Sequence, residues 1–101
     1  MLFKEQGKYA EAEPLYHQAL EGRRRTLGDE HPSTLVSINN LGMLRKNQGK
    51  YAEAESLFRE GLEAGLRVLG DEHPYTVHFQ RELDTVLAAL KAAADKKDED
   101  G

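Results

Sequence analysis

LGDEHP occupies Leu27–Pro32 and returns, letter for letter, at Leu69–Pro74. The interval is 42 residues, and it governs most of the chain. GKYAEAE stands at Gly7–Glu13 and again at Gly49–Glu55, while Leu15, Leu20, Glu21, Arg25, Thr34 and Leu41 recur as Leu57, Leu62, Glu63, Arg67, Thr76 and Leu83. Residues 7–48 and 49–90 are thus identical at 19 of 42 positions, and MLFKEQ at 1–6 continues the register against MLRKNQ at 43–48. A period of roughly 20–50 residues marks an array of stacked units, none of which buries its apolar face alone.

Inside each unit the period is helical. From Tyr51, apolar or small residues fall at Ala54, Leu57, Phe58, Gly61, Leu62, Gly65, Leu66 and Leu69, in steps of three and four. Tyr9, Ala12, Leu15, Tyr16, Ala19, Leu20 and Leu27 repeat that stripe one unit earlier. A second kind of stripe uses Leu35, Ile38, Leu41, Gly42 and Leu44, and a shifted version uses Val77, Leu83, Val86, Leu87 and Leu90. No alternating, period-two stretch competes. The sequence therefore predicts an all-α domain over 1–94, with a stub at 1–6 and helices at 8–27, 33–47, 51–69 and 75–93. DKKDEDG at 95–101 is expected to be a charged, flexible tail.

LGDEHP reads as punctuation in this pattern. The glycine suits the left-handed conformation that ends helices, and the proline suits the first turn of the next one. Asp29, Glu30, Asp71 and Glu72 place negative charge near that helix's positive end. QGKY at Gln6–Tyr9 and Gln48–Tyr51 is expected to turn the chain at the other junction. Pro14 falls well inside the first long helix, where it removes one backbone hydrogen bond.

Composition narrows the function classes. The 101 residues are 39% hydrophobic and 32% charged, without an apolar run near the ~18 residues a membrane span needs, and Met1 starts no signal peptide. There is no cysteine, hence no disulfide framework and no thiolate zinc site. A net charge of −4 argues against nonspecific nucleic-acid binding. His31 and His73 beside carboxylates offer too few convergent ligands for a metal, and no catalytic constellation rises above background. Arg23, Arg24 and Arg25 suit the negative end of their helix. The expectation is a cytoplasmic, non-enzymatic chain without cofactor or metal.

Gly42 after Leu41, then Gly49, Tyr51, Ala54, Phe58 and Gly61, resembles the tetratricopeptide repeat. The 42-residue period and the strings NNLG, QGKYAEAE, LYHQAL and LGDEHP are similar to the longer variety found in kinesin light chains and nephrocystin-type proteins. The resemblance covers roughly residues 1–90. It implies an α-α superhelix, a solenoid of antiparallel helix pairs, here about two and a half repeats. It also implies a concave groove, lined by the first helix of each pair, that holds a protein or peptide partner. Lys4, Asn39, Asn40, Met43, Lys46, Asn47, His78, Arg81 and Glu82 are the candidate groove residues. Asparagine both donates and accepts, so it can hold a peptide backbone whatever its sequence. The carboxylate clamp of some chaperone co-factors does not fit, because Glu82 stands where a cation is needed.

The ends depart from the repeat. Ile38 and Gly42 become Gln80 and Asp84, a polar outer face of the kind a capping helix requires. Met1 aligns with Met43, so the expectation is a chain cut from a longer array or begun at an internal methionine. With the helix before Gly7 reduced to a stub, Leu2, Phe3, Tyr9, Tyr16 and Leu20 are expected to be uncovered and to form a homodimer. Such self-association, without a peptide ligand, is the alternative function.

Overall fold

The two copies of LGDEHP each close one helix and open the next. The computed structural model of the chain describes the backbone from Leu2 to Asp100 and the side chains from Lys8 to Lys96. Among the described residues there are four helices and no strand: α1 (Leu2–Leu27), α2 (Pro32–Asn47), α3 (Tyr51–Val68) and α4 (Pro74–Asp100). Each packs antiparallel on the helix that follows it in sequence. The arrangement is an all-α helical repeat, with α1–α2 and α3–α4 as its two copies.

The punctuation works through backbone geometry and one side chain. Gly28 and Gly70 take φ values of +92° and +89°, which a side chain would strain, and so end α1 and α3. His31 then caps α2, its Nδ1 accepting the Ser33 amide at 3.0 Å, and His73 does the same for Tyr75 at 3.0 Å. Thr34 Oγ1 donates to the Gly28 carbonyl at 2.7 Å and ties the turn to the helix it starts. The histidines are thus helix caps.

The core is strongest where helices approach across glycine. A Cβ placed on Gly42 would lie 2.7 Å from the Phe58 ring, and one on Gly61 would collide with the ring of Phe79. Phe58 and Phe79 are fully buried and their ring centroids are 6.5 Å apart. Around them pack Leu35, Ile38, Ala54, Ala64 and Val86, all essentially inaccessible. Leu20 is the α1 member of this cluster, with Tyr9 and Ala12 packed against its edge.

Four expectations are corrected. The chain does not turn at Gly7: α1 runs unbroken from Leu2 through Lys8 to Leu27, and the stub expected at 1–6 is, from Leu2 on, its first turns. Six residues make too few packing contacts to offset a reversal, whereas extending an existing helix adds a hydrogen bond per residue. For the same reason α4 continues as helix to Asp100 instead of ending at 93 in a charged tail. The α4 stripe is also rotated, since Phe79, Leu83 and Val86 are buried while Val77 and Leu87 are exposed. Leu15, Leu27 and Leu66, placed on the buried stripes by periodicity, are exposed as well.

Glycine should respond to alanine in opposite directions at two positions. Gly42→Ala gains about 1 kcal/mol of helix propensity but overpacks Phe58, so a net loss of about 1–2 kcal/mol is expected. Gly22→Ala meets no neighbour within 4 Å and should stabilise by up to about 1 kcal/mol. Denaturant melts of the two variants check both signs.

Candidate interaction surface

α2 and α4 lie side by side and run in the same direction, each packed on α3. Two polar pairs bridge them. His78 Nε2 meets Asn39 Oδ1 at 2.6 Å, and because that oxygen only accepts, the histidine nitrogen is the donor. Lys46 Nζ donates to Glu82 Oε1 at 2.6 Å. Beside the first pair, near the helix starts, a cleft of ≈ 310 Å³ is lined by Leu35, Val36, Asn39, Tyr75, His78 and Phe79. Its walls are mainly apolar, and Asn39, His78 and Tyr75 bring polar groups to it. Such a site takes an apolar side chain while offering hydrogen bonds to its backbone.

On the other flank of α2, Asn40, Met43 and Asn47 line a groove of ≈ 280 Å³ with Lys8, Tyr9, Ala12 and Tyr16 of α1. The structure therefore divides the sequence-derived candidates. Asn39, Lys46, His78 and Glu82 are half-buried in the α2–α4 seam, and Asn40 and Asn47 are exposed beside α1. Arg81 faces elsewhere: it lines a cleft between α3 and α4 with Leu62, Leu66, Val77, Gln80 and Asp84. The side chain of Lys4 lies outside the described residues, as do those of Leu2 and Phe3. Leu20, expected on the self-association surface, is only 3% exposed and belongs to the core instead. Tyr16 of that set is exposed and Tyr9 half-buried.

Val36 and Tyr75 are site residues that sequence reasoning missed. Both are apolar, exposed and off the buried stripe of helices that face a groove, and that combination was the available signal. Arg45 was missed too. It is buried, forms an ion pair with Glu13, and places its Nη2 3.1 Å from His17 Nε2, which fastens α1 to α2. Arg23 and Arg24, near the end of α1, are likewise engaged within the chain. Arg23 Nη1 donates to Ser37 Oγ at 2.5 Å. Arg24 pairs with Asp29 and with both oxygens of Glu60, which raises its already high pKa. A separate acidic partner would have to displace those contacts.

A family model for the tetratricopeptide repeat matches residues 1–64. The chain belongs to the tetratricopeptide-repeat family. Repeats of this kind are generally protein–protein interaction modules on a scaffold that is not itself catalytic. The matched span takes in α1, α2 and most of α3, and so the whole α1–α2 groove. A search of curated proteins finds no match to the chain. Among the described residues, no helix is long and apolar enough to cross a membrane.

The Arg45 contact has a pH signature. Its guanidinium hydrogen-bonds the Glu13 carboxylate and holds that pKa below the ordinary 4.5. A carboxylate depressed in the folded state adds stability at pH above its unfolded pKa, and loses it as pH falls through the folded value. Glu13→Gln should therefore lower the melting temperature at pH 7, with the gap to the parent chain closing towards pH ~3. Paired thermal scans across that range are the check.

Proposed function

We propose that the chain is a protein–protein interaction module that holds an extended peptide or partner helix along the face shared by α2 and α4. The observation that carries this reading is the cleft at Val36, Tyr75 and Phe79, with Asn39 and His78 at its rim. An apolar side chain of the ligand fills the cleft while the Asn39 amide positions its backbone, so affinity depends on shape more than on charge. Lys46 and Glu82 neutralise one another and set the spacing of the two helices instead of contacting the ligand. The QGKYAEAE and LGDEHP strings and the 42-residue period support placing the chain with the kinesin-light-chain-like variety of the family. A net charge of −4 supports a protein partner over nucleic acid.

A second reading rests on α1. Leu15 is 63% and Tyr16 38% exposed, whereas their counterparts Leu57 and Phe58 pack in or against the core. This face supports self-association as a homodimer through Tyr9 and Tyr16, with Leu2 and Phe3 nearby in sequence.

A displayed library of random peptides separates the two. Selection on the chain should enrich peptides with one large apolar residue; Tyr75→Ala should weaken them by about 1–2 kcal/mol and Asn39→Ala by about 0.5 kcal/mol. Enriched peptides that bind both variants unchanged, or a library that yields none while light scattering shows a dimer, would refute the groove reading.

A further inference from the structure

LGDEHP puts a histidine where helices ordinarily carry serine, threonine, aspartate or asparagine. In both copies proline fills the first helical position, so the next amide is the first donor the helix exposes. The histidine Nδ1 accepts it: His31 from Ser33 and His73 from Tyr75, each at 3.0 Å. The two histidine carbonyls accept the first bonds of the helices, from the Leu35 and Val77 amides, both at 3.0 Å. A ring nitrogen that accepts a hydrogen bond carries no proton, so both caps require neutral imidazole. Asparagine would offer the same amide an oxygen that mild acid leaves alone. Histidine instead ordinarily changes charge between about pH 5 and 8.

We propose that the two caps form an acid-sensitive latch on the starts of α2 and α4, beside the cleft lined by Val36 and Tyr75. Protonation puts a hydrogen on Nδ1 against the amide hydrogen it had accepted, and adds positive charge at the positive end of the helix. The ring then turns away. Each turn supplies carboxylates to receive it, Asp29 and Glu30 beside His31, and Asp71 and Glu72 beside His73. Asp29 and Glu30 are shared with Arg24 and Arg67, and Arg67 of α3 lines one recess with His31. His73 meets the Tyr75 ring edge-on, centroids 5.0 Å apart, and the α2 residues that line the cleft with Tyr75 carry no charge. The freed helix end binds one proton more than the capped one, so acid favours opening and neutral pH favours closure. His78 stands outside the latch, because its Nε2 donates to Asn39 and keeps that role when charged. His17 Nε2 accepts from Arg45, so acid weakens that brace between α1 and α2 separately. Tyr75 sits in the first turn of α4, so acidification also releases a bound peptide; this consequence rests on the proposed groove, whereas the latch does not.

The double substitution His31→Asn with His73→Asn keeps a capping side chain at both positions and removes its titration. Magnetic resonance of the isotope-labelled full chain follows the His31 and His73 rings and the Ser33 and Tyr75 amides from about pH 7.5 to about 5.5. Each amide should move with the ring that caps it. Over the same range the melting temperature of the parent chain should fall by several degrees, and that of the double variant less than half as far. Adding His17→Gln should remove most of the remainder. Amides that stay in place while the rings titrate, or equal falls in parent and double variant, overturn the inference. These readouts need no ligand, so they decide the latch even if the groove reading fails. Library peptides without ionisable side chains, selected at the upper pH, should leave the parent chain severalfold more readily at the lower one and stay on the double variant. Equal release from both overturns the control of the cleft by its caps.

Discussion

Helix separation is set here by an aromatic ring lying on a glycine. Gly42 of α2 receives Phe58 of α3, and Gly61 of α3 receives Phe79 of α4, so α3 serves as both plug and socket. Interaxial distance follows from the side chains at the contact, and a socket with no side chain lets the backbones close up around the ring. The small partners Ala54 and Ala64 and the fully buried Ile38 and Val86 suit that separation and no larger one. The side-by-side placement of α2 and α4, both packed on α3, follows from it.

The plug-and-socket order lapses at α1. Ala19 and Ser37 stand where the second copy has Gly61 and Phe79, and Arg23 stands where it has Gly65. The junction is accordingly polar: Arg23 reaches Ser37, and Arg45 reaches Glu13 and His17. Polar contacts exchange hydrogen bonds with water at a net gain of about 1 kcal/mol each, whereas truncating a buried phenylalanine costs about 3–5 kcal/mol. The helix that presents the open groove is therefore the one held least firmly.

Much of the fold was legible because its signals are local. The sequence boundaries for α2 and α3 lie within a residue of the observed Pro32–Asn47 and Tyr51–Val68, since Gly49, Gly70 and the prolines act through their own backbone. That α1 runs straight through Gly7 was not legible, because the same QGKY string turns the chain at Gly49, where α2 packs back on α3. Phe79 was hidden behind its counterpart Ser37, although glycine at 61 in place of Ala19 was the compensating change that makes room for it. The candidate site was half legible. The helices that carry it follow from the period, but which polar residues pair with one another depends on the distance between α2 and α4. Asn39 and Lys46 were thus identified by place, while their engagement with His78 and Glu82 was not.

That engagement shapes what the α2–α4 face can recognise. Asn39 and His78 already satisfy one another, so a ligand amide that displaces the bond gains only the difference between two similar hydrogen bonds. Lys46 and Glu82 are only 21% and 13% exposed at their side chains, and breaking that pair would strand a partly buried charge. Polar groups on this face therefore position a ligand without supplying much of its affinity. The affinity has to come from apolar area, and Val36 and Tyr75, exposed at 36% and 41%, are where the face still has it to give. A partner held there as proposed would be selected first by the side chain it can bury between the starts of α2 and α4, and only then by its backbone.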